Sequence, residues 1–257
     1  MQLINMYCIG NPYLKIVFRC TSLVACIVLM MTSTSRDQQS LFNIPSSTIT
    51  PKGNWFIQEQ LNMTDTWQIN STFDYGLGKN WEAGLNLLGL TPTQQTGKWV
   101  LLNNDQASDG QVVPAILLNV QKAFSLHTHW KTALGFQVGT HVKNTNKSLL
   151  LAYWNNEWVI GKAYHPHVKI YAGIYSATPS YYGPGNRQGL WAGIEVPVWH
   201  DHLHLVADFI SGTHVNAETV SGCTIFLSKH WLVSLGGILP NLSSVAMSGF
   251  VFELTRI

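Results

Sequence analysis

Charge is scarce in this chain. Of its 257 residues only 11% are Asp, Glu, Lys or Arg, against roughly 25% in an ordinary soluble domain. That is an odd balance for a cytosolic protein and a natural one where lipid replaces water. Long apolar runs are also missing: after residue 35 no segment approaches the ~18 consecutive apolar residues of a spanning helix. If the body of the chain lies in a membrane, it must do so as a closed barrel, because an open sheet leaves backbone groups unpaired in hydrocarbon. Cysteine is nearly absent beyond the first 35 residues. Cys8, Cys20 and Cys26 fall within them and Cys223 stands alone afterwards, which excludes an internal disulfide in the remainder. Excess basic charge is lacking too. With Lys15 and Arg19 set aside, thirteen basic side chains face thirteen acidic ones, and nucleic-acid binding calls for a basic surface.

Glycine and aromatic residues, in contrast, are plentiful (Gly 21, Trp 10, Tyr 9, Phe 10). Lys15 and Arg19 precede a largely apolar run, Cys20 to Met31, which gives way to Thr32-Ser33-Thr34-Ser35. A basic flank, an apolar core and small residues near a cleavage point predict a secretory signal peptide over residues 1–35. Residues 36–53 are polar and Ser/Thr/Pro-bearing and read as a periplasmic lead-in. Residues 54–257 read as one all-β domain.

From Asn54 onward the dominant period is two. Trp67, Ile69, Phe73 and Tyr75 share one face while Gln68, Asn70, Thr72 and Asp74 share the other, a strand signature. The pattern recurs from Trp81 to Leu90 and from Trp130 to Val138. An apolar face points inward in a soluble sandwich and outward to lipid in a membrane barrel; pattern alone does not separate the two, and the signal segment, low charge and spacing of turns favour the membrane. Short links sit at Gly76–Asn80, Ser125–Thr128, His165–Pro166, His200–Asp201 and Lys229–His230. Longer ones sit at Thr91–Val112, Thr140–Lys147, Pro179–Arg187, Thr213–Thr219 and Pro240–Ser244. Outer-membrane barrels have short periplasmic turns and longer external loops, so both termini are expected on the periplasmic side. Strands are predicted near 54–62, 65–75, 80–90, 113–124, 128–139, 148–163, 167–178, 188–199, 202–212, 220–229, 231–239 and 245–256. The fold class is therefore a transmembrane antiparallel up-and-down β-barrel of about 12 strands, with 54–75 readable as one long strand or two. Trp81, Trp130, Trp199 and Trp231, with Tyr75, Phe124 and Tyr164, lie beside the short turns, as an aromatic girdle at the membrane–water boundary would.

Leu205–Gly212, the following Gly222 strand, Leu235-Gly236-Gly237-Ile238-Leu239-Pro240-Asn241 and the final Phe250–Ile257 resemble an uncharacterised Gram-negative outer-membrane β-barrel family, similar to transporter-like and aromatic-degradation-linked outer-membrane proteins. The resemblance covers residues 54–257 and implies fold and location. The closing strand departs from the usual pattern by ending in Ile rather than an aromatic residue. Membrane lipid or lipopolysaccharide, small solutes and the outer-membrane assembly machinery are the expected partners, and no cofactor is expected.

Candidate lumen residues are the charges on polar faces: Asp74, Glu82, Lys131, Lys169, Glu195, Asp208 and Glu253. In a narrow barrel such charges pair across the interior and plug it; in a wider one they line a water path and bias which ions pass. Twelve strands lies between small filled barrels and wide porins, and the balanced net charge predicts no strong ion selectivity. His127, His129, His165, His167, His200, His202, His204 and His230 fall at or beside short turns. Imidazole is a common metal ligand, so these are weak metal candidates, with ordinary boundary residues the favoured reading. No nucleophile elbow, HExxH helix or phosphate loop occurs. Ser211, His214 and Asn216 are the nearest approach to a barrel-phospholipase constellation. The segment Lys98–Leu102 could fold inward or continue a strand above the membrane. The loop from Ser180 to Asn186 reads as a tight turn with surface aromatics, or as a platform for stacking on a ligand. The expected function is a small passive channel or transporter-like pore, with a non-conducting structural or binding barrel and a lipid-modifying enzyme as alternatives.

Overall fold

A computed structural model of the chain describes residues 41–95, 98–101, 114–143, 145–161, 167–199 and 202–257. The expected signal segment, most of the 91–112 loop, Tyr164, His165 and His200 lie outside the described residues. The strands are β1 (Trp55–Met63), β2 (Trp67–Gly78), β3 (Trp81–Leu90), β4 (Pro92–Gln95), β5 (Lys98–Leu101), β6 (Ala115–His127) and β7 (Trp130–His141). They continue as β8 (Ser148–Ile160), β9 (Val168–Ala177), β10 (Gln188–Trp199), β11 (Leu203–Ile210), β12 (Glu218–Phe226), β13 (Trp231–Pro240) and β14 (Gly249–Arg256); one helical turn, α1 (Pro179–Tyr182), follows β9. Twelve of the strands close into an antiparallel up-and-down barrel. Within it each strand pairs with the next, β3 reaches β6 past the separate β4–β5 hairpin, and β1 closes on β14. The closing register runs from Ile57↔Arg256 to Met63↔Phe250, so no edge strand is left open among the twelve and their backbone groups are satisfied within the sheet.

The reading of 54–75 as one long strand does not hold: Thr64–Thr66 form a turn, the Thr64 N–H donating to the Thr66 carbonyl at 3.1 Å. That turn is the one short link at the long-loop end. Of the Lys98–Leu102 segment, Lys98–Leu101 form β5, which pairs with β4 in a two-stranded sheet separate from the barrel, and Leu102 lies outside the described residues.

Period-two alternation fixes which side chains face out. Leu118, Leu134, Leu190, Leu205 and Leu235 are all exposed on the outer wall, while their strand neighbours Asn119, Ala133, Trp191, Val206 and Ser234 are wholly or largely covered. Exposed leucine along the outer wall is the pattern of a barrel solvated by lipid. At the short-turn end Trp55, Trp81, Phe124, Trp130, Trp199 and Trp231 remain exposed, and Trp130 stacks on Trp158 with ring centroids 6.1 Å apart. Lys122 belongs to the same ring. Its ammonium lies 5.1 Å from the Trp81 ring centre and donates to the Lys79 carbonyl, so the stem covers apolar wall while the charge reaches the boundary.

The lead-in is the principal correction. Its described part does not hang outside the barrel: residues 41–50 run through the interior, and Leu41, Phe42, Ile44, Ser46 and Ser47 are fully buried there. We call this stretch the strap.

Candidate functional site in the barrel lumen

A strap inside a barrel has backbone donors and acceptors that no sheet ladder satisfies, and each must be met by the wall or left at a cost. Carboxylates on three separate strands meet the donors. Asp208 Oδ2 on β11 accepts the Asn43 N–H at 2.7 Å, Glu157 Oε2 on β8 accepts the Ser47 N–H at 3.1 Å, and Glu82 Oε2 on β3 accepts the Thr50 N–H at 2.8 Å. Amides meet the carbonyls: Gln121 Nε2 donates to Ser46 O at 2.9 Å and Asn155 Nδ2 to Pro45 O at 2.5 Å. The Asn43 side chain bridges two further walls, donating to Glu218 Oε1 at 2.8 Å and accepting from Gln60 Nε2 at 3.0 Å. These partners place Asn43 towards the long-loop end and Thr50 near the β2–β3 short turn.

The apolar part of the strap sits where the wall has been hollowed. A Cβ on Gly193 would lie 2.9 Å from Ile44 Cδ1, and one on Gly236 would lie 2.8 Å from Phe42 Cζ. Glycine at these two inward positions is what lets the strap approach β10 and β13, where it joins a cluster with Trp191, Val206, Val220 and Ile238.

Opposite the hollowed wall the strap leaves a cavity of about 190 Å³. Side-chain amides dominate its lining, among them Gln58, Gln60, Gln68, Asn70, Asn86 and Asn119, with Asp74 and Glu82 between them. Asn119 Nδ2 donates to both Asp74 Oδ1 (2.7 Å) and Asn86 Oδ1 (2.9 Å), and Asn70 Nδ2 donates to Gln60 Oε1 (3.3 Å). A second cavity of about 530 Å³ opens at the short-turn end, bounded by Ser47, Thr48, Pro51, Ser125 and Lys131. The strap borders both.

All seven lumen candidates from the sequence point inward, but not to one centre. Asp74 and Glu82 line the amide chamber and Lys131 the short-turn cavity. Lys169 and Glu195 are register partners on β9 and β10, 3.6 Å apart. Glu195 also accepts from Tyr171 at 3.1 Å and meets His204 Nδ1 at 2.5 Å. Asp208 Oδ1 and His204 Nε2 are buried without a protein hydrogen-bond partner among the described residues. Lys169 and Glu195 pair laterally along the wall, and Asp208, Glu157 and Glu82 accept strap N–H groups. Sequence reading missed Glu157 and Glu218, which raise the inner acids to seven, against Lys131 and Lys169. The signal for Glu157 was hidden because both faces of β8 are largely apolar near its start.

His204 does not join the turn-side histidines. His204 is buried inside the barrel beside Glu195 and Phe226, His127 and His129 sit 6.4 Å apart, ring to ring, and His230 Nδ1 lies 3.1 Å from the Ile257 carbonyl. Among the described residues no three His, Cys, Asp or Glu side chains converge as a metal site.

At the long-loop end α1 folds inward. Tyr181 and Tyr182 are buried rather than forming a surface patch: Tyr181 donates to Gln137 Oε1 at 2.6 Å and Tyr182 stacks on His214 with centroids 4.0 Å apart. Burial pushes both hydroxyls above the ordinary tyrosine range. His214 Nδ1 accepts the Asn216 N–H at 3.2 Å, which leaves the proton on Nε2 to donate to the Tyr175 hydroxyl at 2.7 Å; that hydroxyl donates on to the Ser211 carbonyl at 2.5 Å. Burial lowers the His214 pKa to about 4. Ser211 Oγ accepts the Leu190 N–H at 2.8 Å. The Ser211, His214 and Asn216 constellation is thus spent on closing a loop, with no serine–histidine hydrogen bond to activate a nucleophile.

No protein-family model matches the sequence, and no curated protein matches it. Solved structures do resemble the fold. The KdgM porin in complex with disordered oligogalacturonate superposes with a TM-score of 0.52 at 8% identity, over 79% of this chain and 98% of that one. The NanC porin superposes with a TM-score of 0.50 at 9% identity, again over 79% and 98%. The fold is that of a porin barrel.

Proposed function

We propose that this chain is a bacterial outer-membrane channel for small solutes, narrowed by its own strap. The supporting observation is a polar lumen with two cavities inside a closed barrel whose outer wall is apolar. Residues 1–35 act as the export signal, both termini face the periplasm on the short-turn side, and lipid and lipopolysaccharide surround the wall. The assembly machinery reads the closing strand β14. The balanced overall charge gave no reason to expect ion selectivity, but the inner face is acidic and favours cations over anions. Oligogalacturonate, the ligand of the KdgM structure, is an acidic sugar chain and is unsuited to this lumen.

A second reading, a closed structural or binding barrel, draws support from the strap, whose hydrogen bonds to Asp208, Glu157 and Glu82 would hold the lumen shut at rest. Planar-bilayer recording of the refolded protein, first checked for heat-shifted gel mobility, separates the two. Discrete cation-preferring steps support the channel; silence from folded protein establishes the closed barrel.

A further inference from the structure

We infer that the amide-lined chamber beside the strap is a selectivity site for neutral polyhydroxylated solutes, a single sugar ring or polyol at a time. The inference rests on the channel reading and adds its solute class. A hydroxyl group both donates and accepts, and so does a carboxamide, which offers two N–H donors and a carbonyl acceptor from one side chain. A wall of Gln58, Gln60, Gln68, Asn70, Asn86 and Asn119 therefore matches a ring of hydroxyls without fixing a charge. The mutual bonds Asn119–Asn86 and Asn70–Gln60 use only part of that capacity. They also hold the side chains in place, so little entropy is lost on binding.

Charge excludes anions. Among the described residues no Lys or Arg lines the chamber, so an anion would give up its hydration with no cationic partner in return. The three carboxylates of the lining are already engaged, Glu82 by the Thr50 N–H, Asp74 by the Asn119 amide and Glu218 by the Asn43 amide, which leaves the amides as the groups facing a solute. Tyr181, Tyr182 and Trp191 complete the lining on the loop side, apolar surface for the C–H face of a sugar ring. The volume of about 190 Å³ is below the roughly 300–1,000 Å³ of drug-sized ligand sites, which limits occupancy to one ring.

The test is liposome swelling with the refolded full chain, using glucose, gluconate and glucosamine as solutes matched in size, alongside K⁺ conductance in the same preparation. Glucose is expected to enter about tenfold faster than gluconate, and Gln68→Leu with Asn70→Leu to slow glucose by about tenfold with K⁺ conductance retained. Gln58→Leu with Asn86→Leu is the second variant, should the first lower the folded yield. K⁺ current without glucose entry, gluconate entering as fast as glucose, or glucose entry unchanged in both variants would overturn the inference. So would glucosamine entering far faster than glucose, since the carboxylates would then be the selecting groups. Absence of both K⁺ current and swelling would instead remove the channel reading beneath it.

Discussion

The side chain of Asp208 on β11 accepts the backbone N–H of Asn43 at 2.7 Å, joining residues 165 apart in sequence and fixing the strap against the wall of its own barrel. A carboxylate accepting an N–H is among the stronger hydrogen bonds, worth about 1.5–3 kcal/mol. Asp208→Asn keeps the shape and loses the charge. Combined with Glu157→Gln and Glu82→Gln, it removes the three carboxylates that accept strap backbone N–H groups. We expect the triple variant to show a several-fold higher open probability in bilayer recordings than the parent. Equal open probability would mean that the strap does not close the lumen.

Crowding the hollowed wall should displace the strap by another route. Gly193→Leu places side-chain atoms where Ile44 and Leu41 now lie, and Gly236→Val does so against Phe42. Overpacking of this kind costs about 1–3 kcal/mol, less than the closed sheet would need to come apart. The expected outcome is a folded, heat-modifiable barrel in which a cysteine introduced at Phe42 reacts with a water-soluble maleimide much faster than in the parent background.

The loop closure around His214 should be acid-sensitive. His214 is neutral in its pocket, its pKa lowered from 6.5 to about 4 by burial against Tyr175 and Tyr182. A histidine with a depressed folded pKa contributes its full stability above the unfolded value near 6.5. That stability declines as pH falls towards 4, because the released imidazole binds the proton first. Limited proteolysis of the 178–187 and 211–217 loops should therefore accelerate between pH 6.5 and 4 in the parent. In His214→Gln the rate should be high and flat over the same range.

The outer wall makes a separate prediction. Leu134 on β7 is exposed among apolar neighbours. Leu134→Arg should destabilise the barrel in lipid vesicles by up to about 2–4 kcal/mol, the cost of a cation near the bilayer midplane. Urea titration of vesicle-embedded protein measures it, and a neutral result would mean that this face does not meet hydrocarbon.

Strand content, the count of twelve barrel strands, the two faces of each strand and the aromatic residues at the short-turn end were legible in the sequence. Each follows from a period of two and from links only a few residues long, which are local properties of the chain. Trp67 to Tyr75 announces its two faces without reference to any other strand. The inward placement of Asp74 and Asp208 follows from the same alternation, once the apolar face is assigned to lipid.

What only the tertiary structure decided is what fills the barrel. The strap has no periodicity, and as sequence it is a linker in which Leu41, Phe42, Ile44 and Ile49 are set among polar residues; its partners Glu157 and Glu218 lie 110 and 175 residues away, where no local pattern reaches. His204 likewise reads as a turn-side residue, yet closure of the sheet turns it inward onto Glu195. Tyr182 is covered by Tyr175 and His214, and Tyr181 reaches Gln137, all from other strands and loops. Alternation in a strand states which side a residue faces; what it meets there depends on closing the ring and on which stretch of chain is left inside.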